Sequence, residues 1–513
     1  MHPYIHAAET PDKAAVIMAR SGEVVTYRQL NERSNQTAHM LQTMGLQPGD
    51  AVALLMDTGP RFHEIAWAPH RSGLLYVAIS TKLQEDEIRY IIEDSGAQIL
   101  FVDANLAPLA ERLMAVTPGI KRRLSVGGPI AGHEIYEPLR DAEPVTPVAN
   151  ETSGIDMLYS SGTTGRPKGI KARMEKSAID AEHPILKMMR TVYGFARDSV
   201  YLSPAPIYHG APLRWTMGLM RAGATCVLME KFDPEWTLEL IEKHKVTHAQ
   251  FVPTMFVRML KLPEEVRRQH DLSSLQYVFH GAAPCPVEIK QQLIDWIGPI
   301  VHEFYGASEA HGQTSLDSHE WLTHRGSVGK PVFGIIHILD DDGNEVATGE
   351  SGTIWFESPS RFEYHHDEAK TAAATNAQGW QTVGDVGYVD AEGYLYLTDR
   401  KANLIISGGI NIYPQETEDL LLTHPKVMDA AVFGVPNDEF GEEVKAVVQL
   451  MDPADAGPET EAELIGFCRE RLSHVKCPRT VDFEQDFPRM PSGKLVKRRL
   501  RDRYWEGRAS KIV

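Results

Sequence analysis

The sequence predicts an α/β fold, with a large N-terminal region of parallel sheets covered by helices and a smaller α+β unit at the C-terminus. Two observations predict it. Short runs of β-branched and aliphatic residues alternate with amphipathic helical segments in the first third of the chain. After about residue 400 the texture changes to a compact mixture of strands and helices of roughly 110 residues, inside the usual size of a domain.

The elements follow in order. Thr26 and Gln29 match a capping box, in which hydroxyl and amide satisfy orphan backbone donors at a helix start. Apolar groups at Tyr27, Leu30, Ala38 and Leu41 continue that helix to Met44, and Gly45 and Pro48 stop it. AVALLM (51–56) reads as a strand, LYVAI (75–79) as a buried strand, QEDEIRYIIEDSG (84–96) as a helix ended by Gly96, and QILFV (98–102) as the next strand. In the C-terminal unit, QETEDLLL (415–422) and AELIGFCRERL (462–472) read as helices, and DAAVFGV (429–435) and EEVKAVVQLM (442–451) as strands. No short internal repeat is visible.

Composition narrows the function. The chain has 513 residues, of which 24% are charged and 42% hydrophobic, so it can bury large cores without disulfides or structural metals. The net charge of −18 disfavours nonspecific nucleic-acid binding. Cys226, Cys285, Cys468 and Cys477 are dispersed, without the paired spacing of a zinc site, and read as reduced thiols. The N-terminus lacks the apolar core of a signal peptide, and no run of 18 apolar residues could span a bilayer. The expected location is cytoplasmic, with no stable membrane insertion. The basic end, Lys494 to Lys511, reads as solvated surface.

The most informative segment is Tyr159-Ser160-Ser161-Gly162-Thr163-Thr164-Gly165-Arg166-Pro167-Lys168-Gly169. Polyphosphate binding needs backbone N–H groups aimed at oxygens, hydroxyl donors and a cation. Glycines let the backbone approach closely, and this stretch supplies hydroxyls and Lys168 beside them. It is not a Walker A loop, because Lys168 follows a proline and precedes a glycine.

This string resembles the signature loop of the adenylate-forming superfamily, which includes acyl-CoA synthetases, luciferase and peptide adenylation domains. Further segments in the family's order strengthen the resemblance across nearly the whole chain. Pro204 to Gly210 resembles the segment in which an aromatic or His side chain, here His209, gates the acyl pocket. His280-Gly281-Ala282-Ala283-Pro284 resembles the turn along adenine and the acyl tunnel. Tyr305-Gly306-Ala307-Ser308-Glu309 resembles the motif whose Tyr stacks on adenine, whose hydroxyl meets the α-phosphate and whose Glu holds magnesium. Gly379 to Asp385 resembles the ribose motif, with Asp385 accepting from both hydroxyls; Val383 stands where Thr is usual.

Asp399-Arg400-Lys401-Ala402-Asn403 resembles the interdomain hinge, with Arg400 on ribose or phosphate and Ala402 where Asp or Lys is usual. Ser407-Gly408-Gly409 belongs to a string resembling the glycine loop of the pantetheine tunnel. Pro488 to Lys494 resembles the loop with the adenylation lysine, Lys494.

The resemblance implies an acid–thiol ligase of the acyl-CoA synthetase type, using ATP, Mg²⁺ and coenzyme A on a small carboxylic acid; it does not choose the acid, and a fatty or other hydrophobic one is the expectation. It implies an N-terminal domain over 1–399 made of α/β sheets and a β-barrel-like subdomain, a hinge at 400–402, and a mobile C-terminal domain over 403–513. Lys494 and the glycine loop would take turns at the active site by domain rotation. A carrier-protein or other acceptor, and a non-catalytic nucleotide-binding relative, are the alternatives. A homodimer is the default oligomer.

Overall fold

A computed structural model describes residues 2–160, 167–171, 177–181, 184–400, 403–408, 410–437, 439–489 and 495–506, without the side chains of residues 184, 185, 399, 400 and 411. Its contacts divide the chain into two compact units. One comprises 1–250, 270–277 and 362–372; the other comprises 251–269, 278–361 and 373–513.

The first unit holds a six-stranded sheet in the order Glu134–Ile135, Arg122–Val126, Ala97–Asp103, Ala51–Leu55, Leu75–Ala78, Ile155–Asp156, with every pairing parallel. Each residue of Ala51–Leu55 is buried, as a strand covered on both faces requires. Thr26 accepts from the Gln29 N–H and Gln29 accepts from the Thr26 N–H, so the capping box forms and starts the helix Tyr27–Thr43. A second parallel set aligns Ala14–Met18, Thr225–Leu228 and Val200–Ser203. A small antiparallel sheet joins Tyr159–Ser160, Lys168–Lys171 and Glu363–Tyr364. Tyr159–Ser160 and Lys168–Lys171 flank the phosphate-loop segment on either side in sequence.

The second unit carries an antiparallel ladder. Val301–Gly306 pairs in parallel with Tyr277–His280 on one side and antiparallel with Gln313–Leu316 on the other. The ladder continues through Ser327–Phe333, Leu395–Arg400, Asp385–Val389 and Gly352–Glu357 to Ile335–Leu339. Among the described residues it stays open rather than closing into a barrel.

Farther along the chain, Val427–Asn437 and Gly441–Leu450 form a long antiparallel pair, which Thr480–Phe483 joins in parallel. The helix Gln415–Leu422 falls on the expected residues. The helix expected at 462–472 instead runs Pro458–Arg469. Pro458 at its first turn needs no N–H partner, and Glu459 and Glu461 complement the helix dipole, so it starts earlier than the apolar periodicity shows. Among the described residues no helix is long and apolar enough to cross a membrane.

Candidate functional site

The adenine and ribose motifs meet within the second unit. Tyr305 ends the strand Val301–Gly306, and its hydroxyl donates to Asp385 Oδ2 at 2.8 Å, across 80 residues of sequence. Asp385 opens its own strand, is 6% exposed, and pairs backbone to backbone with Arg400. Tyr305 stacks on Phe356 with ring centroids 6.4 Å apart, which leaves the phenol ring half-buried and held flat.

The departure at Val383 costs little locally. The hydroxyl of neighbouring Thr382 donates to the Ile354 carbonyl at 2.6 Å and accepts from the Gly384 N–H at 3.0 Å. Ser308 and Glu309 are half-buried in the turn after Gly306, which is exposed, and Ala310 closes that turn at φ 53°.

The turn at 280–284 is equally constrained. A Cβ on Gly281 would lie 2.8 Å from the Phe304 carbonyl oxygen, so no side chain fits. Ala282 adopts φ 68°, a left-handed conformation that an L-residue holds only at a cost. Ala282 is exposed and Ala283 half-buried. A flat ring can approach such a surface without meeting bulky groups.

Beneath this turn lies a cluster that the motifs do not reveal. Lys290 and His280 are fully buried. Lys290 Nζ sits 2.7 Å from Glu303 Oε2 and 4.9 Å from the centre of the Trp321 ring. His280 Nε2 lies 3.5 Å from the same carboxylate oxygen, and neither ring nitrogen has a hydrogen-bond partner among the described residues. Burial, reinforced by the Lys290 charge, holds the imidazole well below its ordinary pKa and therefore neutral. The available signal was Glu303 itself, a charged residue at an inward position of an apolar strand.

Two other predicted segments are flanked by antiparallel strand pairs. Ser160 pairs with Lys168, and the Lys168 ammonium lies 5.1 Å from the centre of the Tyr364 ring. Ser161, Gly162, Thr163, Thr164 and Gly165 lie outside the described residues. Ser407 pairs with Ile410, and Gly408 adopts φ 56° and donates its N–H to the Phe440 carbonyl at 2.8 Å. Gly409, Lys401, Ala402 and Lys494 lie outside the described residues, as does the Arg400 side chain.

His209 sits within the first unit, just before the helix Gly210–Ala222. Its Nε2 is buried without a hydrogen-bond partner among the described residues, and burial lowers its pKa to about 4.

Comparison with known proteins agrees with the motifs. Residues 4–364 match the AMP-binding enzyme family, and residues 416–494 match the AMP-binding enzyme C-terminal domain. The chain is 31% identical to the fatty acid–[acyl-carrier-protein] ligase ScoC of Streptomyces coeruleorubidus, over 99% of this chain and 96% of that one. It is 32% identical to a feruloyl-CoA synthase of an Amycolatopsis species, over 98% of each. It also resembles the structure of the o-succinylbenzoate CoA synthetase MenE of Bacillus subtilis in complex with the acyl-adenylate intermediate OSB-AMP. There the TM-score is 0.80 and the identity 27%, over 100% of this chain and 98% of that one. Its large N-terminal and small C-terminal domains are those of such enzymes. With both segments matched along most of its length, the chain belongs to the AMP-binding enzymes of the adenylate-forming superfamily.

Proposed function

We propose that the protein adenylates a carboxylic acid with ATP and passes the acyl group to the thiol of coenzyme A. The observation that supports this reading is the bond between Tyr305 and Asp385, which brings together the ring proposed to stack on adenine and the carboxylate proposed to bind ribose. In the first step a carboxylate oxygen attacks the α-phosphorus and pyrophosphate leaves. Two anions meet, so positioning and charge neutralisation supply the catalysis.

Ser160 to Gly165 and Lys168 would hold the β- and γ-phosphates, Ser308 the α-phosphate, Tyr305 with Gly306 and Gly281 to Ala283 the adenine, and Asp385 with Arg400 the ribose. Glu309, a half-buried carboxylate, offers the oxygen ligand that Mg²⁺ prefers. Bound there, the ion would supply Lewis-acid stabilisation of phosphate charge. Lys494 would bridge the carboxylate and the α-phosphate. In the second step the mixed anhydride is attacked by the thiolate and AMP leaves, with Ser407, Gly408 and Gly409 lining the pantetheine path. The exchange of Lys494 for this loop requires a pivot at 400–402 between domains 1–399 and 403–513. The neutral His209, whose Nε2 has no hydrogen-bond partner among the described residues, suits an apolar acyl gate, which favours a fatty or other hydrophobic acid. The free thiols fit a reducing compartment. A cytoplasmic location and a homodimer complete the proposal.

The test is release of AMP and pyrophosphate across a panel of acids, with and without coenzyme A, and detection of the thioester by mass. Pyrophosphate exchange without any acyl-CoA would move the acceptor elsewhere. No exchange with any acid would leave a non-catalytic nucleotide binder. Lys494→Ala separates the half-reactions. Adenylation should fall by about 10²–10³, the loss typical of one transition-state donor, while thioester formation from supplied acyl-AMP persists. Equal loss in both would overturn the division of labour.

One observation favours a second acceptor. Ile406 and Ile410, on the two strands that flank the glycine loop, are 51% and 48% exposed. Apolar side chains there suit a carrier protein delivering a phosphopantetheine arm, the acceptor class named for ScoC.

A further inference from the structure

We propose that Asp94, His365 and His366 bind a divalent transition-metal ion, Zn²⁺ by preference, beside the strands that flank the phosphate loop. One ligand atom from each of the three lies within 4.8 Å of the others. Two imidazoles and one carboxylate form a donor set that suits zinc, nickel or copper and suits magnesium poorly. The site is therefore distinct in chemistry from the carboxylate at Glu309.

The surroundings orient the ligands. His366 Nδ1 lies 3.7 Å from Asp94 Oδ1, and the two histidine rings stack with centroids 3.8 Å apart. A ligating histidine usually gives its other ring N–H to a carbonyl or carboxylate, and the Asp94 carbonyl, 3.0 Å from His365 Nε2, offers that partner. Tyr159 donates its hydroxyl to Asp94 Oδ2 at 2.6 Å, fixing the carboxylate from the other side.

Both histidines line a cavity of about 300 Å³, enough for an ion with bound water. Two cations share that cavity. Lys370 is paired with Asp367, and Lys168 lies over the Tyr364 ring, so part of their charge is already engaged.

The site touches both flanking strands. Tyr159 immediately precedes Ser160, and the His365 N–H donates to the Gly169 carbonyl at 2.7 Å, one residue after Lys168. Occupancy would tie residues 94 and 365–366 to the strands that carry the phosphate loop.

The full-length protein, stripped with a chelator, is titrated with Zn²⁺ by calorimetry beside His366→Asn, Asp94→Asn and, as a control outside the cluster, His133→Asn. The wild type and the control should bind one tight equivalent that excess Mg²⁺ does not displace. His366→Asn and Asp94→Asn should each weaken it by at least about 10–100-fold, since even outer partners of a metal site cost that much. His366 is exposed and sits at φ 52°, which asparagine tolerates, so this variant reads binding without disturbing the fold. Zn²⁺ should also raise the Tm of the wild type and leave that of His366→Asn unchanged. Equal affinity and stoichiometry in wild type and both variants would overturn the site.

Discussion

The parallel six-stranded sheet and the antiparallel ladder differ in what their side chains do. In the sheet, Ala53, Leu55, Val77, Leu100 and Val102 belong to one aliphatic core, and Ala51–Leu55 has no exposed residue. In the ladder, Val301–Gly306 alternates buried and half-buried positions before ending half-buried at Tyr305 and exposed at Gly306, and Ser327–Phe333 passes from buried to exposed. The sheet is covered on both faces and can spend its residues only on packing. The ladder keeps one face accessible and places Tyr305, Ser308 and Asp385 on or beside it. It also carries the strained Ala282 and Ala310. Near the expected ligand site the ladder holds backbone strain and a buried charge pair, which the surrounding packing sustains.

The largest effect should come from breaking the buried pair under the ladder. Lys290→Met leaves Glu303 as an uncompensated buried carboxylate, and unfolding stability should drop by about 3–5 kcal/mol in denaturant titration. The double variant Lys290→Met/Glu303→Leu should recover most of the loss. If it does not, the pair is not what makes the single change costly.

In the sheet, Leu100→Ala should cost about 2–5 kcal/mol through a cavity, while the ATP KM of the folded fraction stays unchanged. A changed KM would blur the contrast between packing and display.

Acid should also loosen the ladder. Burial lowers the His311 pKa from 6.5 to about 4, so the unfolded chain binds this proton first as pH falls. Its contribution is complete above pH 6.5 and is lost from there down to about pH 4, reaching about 2 kcal/mol lost at pH 5. Half-buried His302, also lowered to about 4, acts in the same direction. His311→Gln should flatten the fall of Tm between pH 7 and 5; an unchanged slope would assign acid sensitivity elsewhere.

The smallest effect should be Tyr305→Phe. It keeps the stacking ring and removes the hydroxyl from Asp385, at about 1–2 kcal/mol. The ATP KM should rise roughly tenfold with kcat nearly unchanged. A fall in kcat alone would mean that Asp385 orients the reacting phosphate rather than the ribose.

What was legible in the sequence was local. The capping box at Thr26 and Gln29, the helix Gln415–Leu422 and the strands around 51 and 98 form because hydrogen bonds and apolar periodicity within a few residues specify them. The motif strings around 159, 305 and 379 could be read for the same reason, since each chemistry is held within a short stretch. The start of the helix at Pro458 escaped the periodicity, because a proline and two acids shape a first turn without showing an apolar face.

Tertiary structure alone decided which distant groups meet. No local pattern announces that Tyr305 bonds Asp385, that Lys290 and His280 share Glu303, or that Asp94 reaches His365 and His366. These partners are set by strand order and register over tens to hundreds of residues. A one-residue slip in register would turn each side chain to the opposite face. The sequence by itself therefore determined the parts and their chemistry, and long-range pairing determined which parts touch.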